Sequence, residues 1–325
     1  MKTTYKVAIA GYGNLGRGVE LAIKQNPDFE LAAVFTRRAP ETVSLKTAGV
    51  PVVRFEDMHA YKGKIDAVLL CGGSARDVPE QAPEILKHFH CIDSFDTHNK
   101  IPDYLKKVDG IGKANGTLSL ISVGWDPGLF SIARLYFNAL LPEGVTNTFW
   151  GKGVSQGHSD AIRGISGVKN GIQYTIPQAA AVEDARAGKT LSTRERHLRE
   201  CFVVADEKDH VRIEKTIKEM PDYFADYDTI VHFISDAEFK KNHTAMPHGG
   251  TVLRSGKSAA DKSSVLELGI KLESNPEFTA SVMVAYARAV LRFAAEGKTG
   301  ALTVFDIAPA YLFAEGRDAA IKQLL

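Results

Sequence analysis

Apolar positions in the first third of the chain come in short, nearly unbroken runs, at residues 7–10, 31–35, 67–71, 91–93 and 118–123. Runs of this length, without polar alternation, read as strands buried on both faces of a parallel sheet. Between the first two runs the period changes: Leu15, Val19 and Ile23 recur every fourth residue, the spacing of one helix face. Val78 and Pro79 open a second helical stretch that runs to residue 89. Strand and helix in alternation predict a doubly wound parallel sheet for this part of the chain.

The pattern shifts at Gly124-Trp125-Asp126-Pro127-Gly128. Pro127 suits the first turn of a helix carrying Leu129, Ile132 and Leu135. Beyond Pro142, residues 148–150, 173–176, 201–205 and 230–234 read as strands of a second, mixed sheet, with one helix near residues 210–220. Pro276 then precedes a long helix, residues 279–295, closed at Gly297.

The first run leads into Gly11-Tyr12-Gly13-Asn14-Leu15-Gly16. Placed between a buried strand and an amphipathic helix, G-x-G-x-x-G is the dinucleotide turn of a Rossmann-type sheet. Its first glycine makes the tight turn, its second lets the backbone approach a pyrophosphate, and its third lets helix and strand pack closely. About twenty residues on, the ribose-contacting position usually carries an acid. Here the second run ends in Thr36-Arg37-Arg38. An acid would repel a 2′-phosphate, whereas two guanidinium groups clamp it, so the reading is NADP(H) rather than NAD(H). Ligands of such sheets sit at the carboxyl ends of the strands. Cys71-Gly72-Gly73-Ser74-Ala75, Ser94-Phe95-Asp96 and Gly124 to Gly128 are therefore expected on the cofactor side as well. By analogy with two-domain dehydrogenases, the last long helix returns to the nucleotide domain. Residues 1–123 with 275–325 are expected to form that domain, and residues 124–274 an α+β domain on a mixed sheet for substrate binding and dimerisation.

Bulk composition narrows the partners. The 325 residues suffice for two packed cores, and 40 Lys+Arg against 39 Asp+Glu leave a net charge of +1. That balance, without basic runs, calls for neither nucleic acid nor an anionic membrane. Met1-Lys2-Thr3-Thr4 enters the first strand at once, which leaves no room for a signal peptide, and no unbroken apolar run approaches the roughly twenty residues of a membrane span. Cys71, Cys91 and Cys201 lack C-x-x-C spacing and read as buried thiols of a reducing cytoplasm.

Two carboxylates, Asp96 and Asp126, fall at the ends of strands where a nicotinamide would lie. Paired acids there suit an amine: they hold its ammonium and then take its proton, freeing the nitrogen lone pair. Each also has a plainer reading, Asp126 as a helix cap and Asp96 as a turn cap. Gly153-Val154-Ser155-Gln156-Gly157 matches the G-x-S-x-G of serine hydrolases, with His158 and Asp160 close behind. A nucleophile elbow needs strand, sharp turn and helix, with its histidine and acid from distant loops, so Ser155 is not expected to act as a nucleophile. His243 and His248 lack an acid at ligand spacing, and no metal is expected. His248, between Pro247 and Gly249-Gly250, reads as a loop aimed at a ligand, and Arg199, beside the 201–205 strand, as a cation able to face a carboxylate.

Taken together, the strings Val7 to Arg17, Ser122 to Gly128, Thr148 to Asp160, Cys201 to Asp206, Met220 to Phe224 and Met246 to Gly250 resemble the diaminopimelate dehydrogenase family over essentially the whole chain. The resemblance implies NADP-dependent oxidative deamination of meso-2,6-diaminopimelate at its D-centre, yielding L-2-amino-6-oxopimelate and ammonia, in lysine and cell-wall biosynthesis. It implies that Asp96 and Asp126 hold the amino group of the D-configured end, with Trp125, Trp150, Gln156 and Gly157 lining that half. Thr175, Arg199, His248 and Asn275 would grip the distal end. A cytoplasmic homodimer is the assembly it implies. Gly73 and Arg76 depart from the expected pattern, which weakens the carry-over of cofactor contacts around them. Another NADPH-dependent reductase on this scaffold, or an NADPH-binding regulator without catalysis, are the alternatives. The first would need a His- and Lys-rich signature that the chain lacks, and the second would have no use for the convergent acids and Arg199.

Overall fold

The computed structural model describes residues 4–74 and 76–325. Among the described residues the chain forms fourteen strands: β1 (Tyr5–Ala10), β2 (Phe29–Thr36), β3 (Val52–Arg54), β4 (Ala67–Leu70), β5 (His90–Asp93), β6 (Leu118–Leu120), β7 (Gly144–Trp150), β8 (Gly153–Val154), β9 (Val168–Pro177), β10 (His197–Ala205), β11 (Asp228–Phe233), β12 (His248–Ala259), β13 (Lys262–Leu272) and β14 (Gly300–Leu302). They fall into two compact units, Met1–Ile132 with Pro276–Leu325, and Ala133–Asn275.

The first unit holds one parallel sheet in the order β14-β6-β5-β4-β1-β2-β3. Its five central strands are buried on both faces, as their apolar runs require. Val7, Ile9, Val34 and Leu69 face one core with Val19 and Ile23, while Ala8, Phe35, Val68 and Leu70 face the other with Val78, Ile85 and Val108. Each fully buried Ile, Leu or Phe contributes about 1.5–3 kcal/mol. β3 and β14, three residues each, were not legible as apolar runs and complete the sheet at its edges.

The helix Asn275–Ala295 is 21 residues long, and an 18-residue window of it, with a mean hydropathy of 1.3, is apolar enough to cross a membrane by length and composition. The unbroken-run criterion missed it because Arg288 and Arg292 interrupt it. Met283, Val284, Ala287 and Val290 sit in the core of the first unit, and buried Arg288 is paired with Asp28 at 2.5 Å. This is the geometry of a core helix.

The second unit carries the expected mixed sheet and a further antiparallel one. Its strands form two: β11-β10-β9-β8, in which only β10 and β11 run parallel, and an antiparallel β13-β12-β7. The long hairpin of β12 and β13 was missed because β13 alternates exposed and half-buried residues, so it has no apolar run. The expected lone helix is present as His210–Lys218, together with four others in this unit: Gln156–Arg163, Ala179–Arg186, Thr193–Arg196 and Asp236–Asn242. All are too short and polar to show a periodic stripe. Pro127 lies two residues ahead of the helix Leu129–Leu140 rather than in its first turn.

Candidate active site

In the first unit, five neighbouring strands deliver the sequence-predicted residues to one edge of the sheet. β2 ends on Thr36-Arg37-Arg38, β1 on Gly11 to Gly16, β4 on Cys71 to Ser74, β5 on Ser94 to Asp96, and β6 on the turn from Gly124 to Gly128. Ala75 lies outside the described residues.

The glycine turn is built for close approach. Gly11 has φ +91°, and a Cβ at Gly16 would overlap the Gly11 carbonyl oxygen. Gly13 is exposed, with open space where a Cβ would stand. It caps the helix Asn14–Lys24, which has no side-chain cap and no acid in its first turn. The first-turn amides and positive dipole end are thus available to an anion. Leu15 packs against the apolar core and Asn14 is exposed. Arg38 donates from Nη2 to the Tyr12 carbonyl at 2.7 Å, which sets its guanidinium beside the glycine turn. Buried Thr36 shapes this turn by accepting the Arg38 N–H at 3.1 Å. Arg37 pairs with Asp77 at 2.7 Å, and the same carboxylate accepts the Gly73 N–H at 2.9 Å. The backbone cradle, the open helix end and two guanidinium groups in place of a ribose-binding acid fit NADP(H).

Asp96 is exposed and fixed by Ser74, whose Oγ donates to its Oδ1 at 2.5 Å and accepts its N–H at 2.8 Å. Asp126 is half-buried in a turn closed by a bridge between Trp125 and Gly128. Two expected ligand contacts are instead largely interior. Phe95 is 2% exposed and packs on Tyr104, with ring centroids 4.5 Å apart, while Trp125 is 7% exposed and meets Phe130 edge-on. Cys71 is also buried, and its backbone carbonyl lies against Gly11 while its thiol donates to the Leu69 carbonyl at 3.6 Å; burial pushes the thiol pKa up.

The second unit gathers a separate polar cluster. Arg199 on β10 lies in register with Thr175 on β9, which in turn pairs with Gly153 on β8. Arg199 is 6% exposed, donates from Nη1 to Thr175 Oγ1, and stacks over the Tyr227 ring with Cζ 3.8 Å from its centroid. Its Nε has no hydrogen-bond partner, and among the described residues no carboxylate pairs with it. Burial lowers its pKa, which marks a charge held at a cost. The Gly151-Lys152-Gly153 turn passes close to β9, since a Cβ at Gly151 would overlap the Thr175 carbonyl.

Trp150, Gln156, His248 and Asn275 lie in the same unit. Trp150 stacks on buried His197 at 5.5 Å between centroids, and the Trp150 backbone N–H donates to His197 Nε2 at 2.9 Å. Burial, helped by Arg199, lowers the His197 pKa to about 3, so the ring is a neutral acceptor. Gln156 opens the helix Gln156–Arg163 and reaches Met246 Sδ at 3.4 Å, while the Asn275 N–H donates to the Met246 carbonyl at 3.0 Å. Gly157 is exposed with open space about it. His248 is not in a free loop. It starts β12, with its ring packed against Gly153, because Pro247 accepts the Val154 N–H and leads the chain into the sheet.

Ser155 caps the same helix position and donates to His158 Nδ1 at 2.8 Å, because His158 Nε2 must donate to the Tyr223 carbonyl at 3.0 Å. Burial and Arg199 lower the His158 pKa to about 4. Among the described residues no acid orients this pair, which instead pins the 155–158 turn to the 223–227 segment that carries Tyr227. Tyr227 escaped sequence reasoning because it lies in no periodic stripe; His158 stood out only beside the G-x-S-x-G match, and His197, in a charged run that reads as solvated surface, is 2% exposed. Among the described residues, no three His, Cys, Asp or Glu side chains gather as a metal site.

The chain is similar to known proteins over nearly its whole length. The family described as diaminopimelic acid dehydrogenase C-terminal domain matches residues 124–274. The meso-diaminopimelate D-dehydrogenase of Ureibacillus thermosphaericus is 56% identical over 323 residues, 98% of this chain and 99% of that protein. A crystal structure of a six-site variant of meso-diaminopimelate dehydrogenase from Clostridium tetani, with DAP, superposes with a TM-score of 0.94 at 49% identity, covering 99% of this chain and all of that one. An engineered D-amino acid dehydrogenase bound to NADP+ gives a TM-score of 0.88 at 43% identity over 99% of this chain and all of that one. Likeness of this degree over nearly the whole chain makes it a member of the meso-diaminopimelate D-dehydrogenase family.

Proposed function

We propose that this protein catalyses the reversible, NADP+-dependent oxidative deamination of meso-2,6-diaminopimelate at its D-centre. One water is consumed, and L-2-amino-6-oxopimelate, ammonium, NADPH and a proton are formed. The observation that carries the reading is Arg199, a buried guanidinium with an unpartnered Nε and no acidic partner among the described residues. Such a group calls for an anionic ligand, and an amino-acid carboxylate supplies the forked acceptor it fits.

The geometry of each unit supports the following roles. Arg199 and Thr175 take the distal carboxylate, with Tyr227 holding the guanidinium plane from below. Trp150, Gln156, Gly157, His248 and Asn275 shape the surrounding surface. Binding energy gained there orients the substrate and is realised as rate at the reacting end. Asp96, fixed by Ser74, and Asp126 hold the D-centre ammonium and accept its proton, so that the nitrogen lone pair can assist loss of the α-hydrogen. Trp125 supports this turn from the interior. NADP+ held by Gly11 to Gly16, Arg37 and Arg38 supplies the hydride acceptor.

Two further observations support the assignment. The six residues replaced in the C. tetani variant are, in chain order, Gln, Thr, Arg, Pro, His and Asn. Gln156, Thr175, Arg199, Pro247, His248 and Asn275 follow the same order here. We include a homodimer in the proposal, supported by exposed Leu135, Tyr136 and Leu140 on one helix, which an assembly would cover. We also include a cytoplasmic setting, supported by three buried free thiols. The test is NADP+ reduction with meso-diaminopimelate beside its L,L isomer and simple D-amino acids. Turnover on the meso isomer and none on the L,L isomer is the expected result; no turnover on the meso isomer overturns the assignment.

A further inference from the structure

Asp93 closes β5 three residues before Asp96, and no part of its side chain reaches solvent. Its Oδ1 accepts two backbone donors: the Phe95 N–H at 3.0 Å and the Ser122 N–H at 3.1 Å. Its Oδ2 accepts the Tyr104 hydroxyl at 2.7 Å, and its carbonyl accepts the Val123 N–H at 2.8 Å. The first donor begins the segment that carries Asp96, and the second begins the turn that carries Asp126. Ser122 itself has φ +58°, a conformation that non-glycine residues seldom adopt without something to hold it.

We propose that Asp93 is a positioning residue: one buried carboxylate, braced by Tyr104, sets the two strand-end turns that present Asp96 and Asp126 to the substrate amine. The proposal rests on the assignment of those two acids. Tyr104 serves it twice, through its hydroxyl on Oδ2 and through its ring against Phe95. Each bond to Asp93 comes from a donor, so the ionised acid satisfies all of them, while a protonated one sets a donor against a donor. Burial raises its pKa to about 6, and Tyr104 on the helix Ile101–Asn115 and Cys91 on its own strand are the titratable groups around it.

The test compares Asp93→Ala, Asp93→Asn and Tyr104→Phe by kcat and KM for meso-diaminopimelate and by Kd for NADPH. A misplacement of about 1 Å at a reacting centre costs up to about 100-fold in rate, so Asp93→Ala is expected to lower kcat at least about tenfold while NADPH affinity stays within about threefold. Asp93→Asn keeps an acceptor for both backbone donors and is expected to recover most of that loss. Tyr104→Phe removes a bond that stabilises the anion, so the acid limb of its kcat/KM profile is expected to move to higher pH. Wild-type kcat in folded Asp93→Ala, an equal loss of NADPH affinity, or no recovery in Asp93→Asn overturns the proposal. If Asp93→Ala does not fold, an unmoved acid limb in Tyr104→Phe overturns it. Asp96→Asn and Asp126→Asn, run alongside, isolate the underlying assignment: unchanged turnover in both would remove that assignment, whatever Asp93 does.

Discussion

Replacing Arg199 with methionine is expected to weaken substrate binding without weakening the fold. The substitution loses the bond to Thr175 and the stacking on Tyr227, together about 2–3 kcal/mol. It also removes a desolvated charge and an unpartnered buried Nε; the latter alone costs about 1–3 kcal/mol, and the charge adds to it. The two sides nearly cancel, so the free protein should melt within a few degrees of wild type or above it. Binding has no such offset, because charge-assisted hydrogen bonds to a carboxylate contribute about 1.5–3 kcal/mol, roughly 10- to 100-fold in Kd. The assay is thermal or denaturant unfolding with NADPH present, so that no turnover occurs, with and without meso-diaminopimelate. At about 100 times the wild-type Kd, the substrate should stabilise wild type by about 2.7 kcal/mol and the variant by only about 0.4–1.4 kcal/mol. Equal stabilisation of both proteins would refute the carboxylate role. A free variant several kcal/mol less stable would show Arg199 to be a structural group.

Other expectations can be checked separately. The Asp93 carboxyl is raised from 3.8 to about 6 in the folded protein, so the stability its neutral form lends is complete below pH 3.8 and is lost as the pH rises through 6. Asp93→Asn should therefore exceed wild type in denaturant stability at pH 8 by up to about 3 kcal/mol, with the difference fading towards pH 4; a pH-independent difference would contradict this. Neutral substitutions at Arg37 and Arg38 should weaken NADP+ far more than NAD+ in titrations, and equal losses would mean that they do not read a 2′-phosphate. Arg288→Ala leaves Asp28 without its buried partner and should cost about 3–5 kcal/mol of unfolding free energy in the first unit, with the Michaelis constants of the residual active protein unchanged.

Legibility in the sequence followed solvent exposure and period. The five central strands of the first unit were readable because both faces are buried, which leaves apolar runs such as Val68–Leu69–Leu70 unbroken. β13 was not, because one of its faces meets solvent and Ser263, Glu267 and Lys271 alternate with apolar residues. The glycine turn was readable because Gly11 and Gly16 each meet a steric demand that only glycine satisfies. Arg199 was visible only as one cation among many. Its role depends on cross-strand pairing with Thr175 and on Tyr227, twenty-eight residues further along the chain, and no local pattern encodes either contact.

The same contrast explains where stability and function diverge. Arg199 and Asp93 are both charged in their working forms, both buried, and both shifted by burial towards their neutral forms. A core selected for stability alone would replace them with apolar residues of similar volume. Their partners argue against chance retention. Arg199 is framed on two sides and left open at Nε, as a ligand-binding cation must be. Asp93 is closed by three donors, two of them backbone groups at the roots of the Asp96 and Asp126 turns. An open charge meets what arrives from outside, and a closed one fixes what is already there. On that distinction we propose that Arg199 selects the substrate by its carboxylate, while Asp93 holds in register the acids proposed to act on the amine.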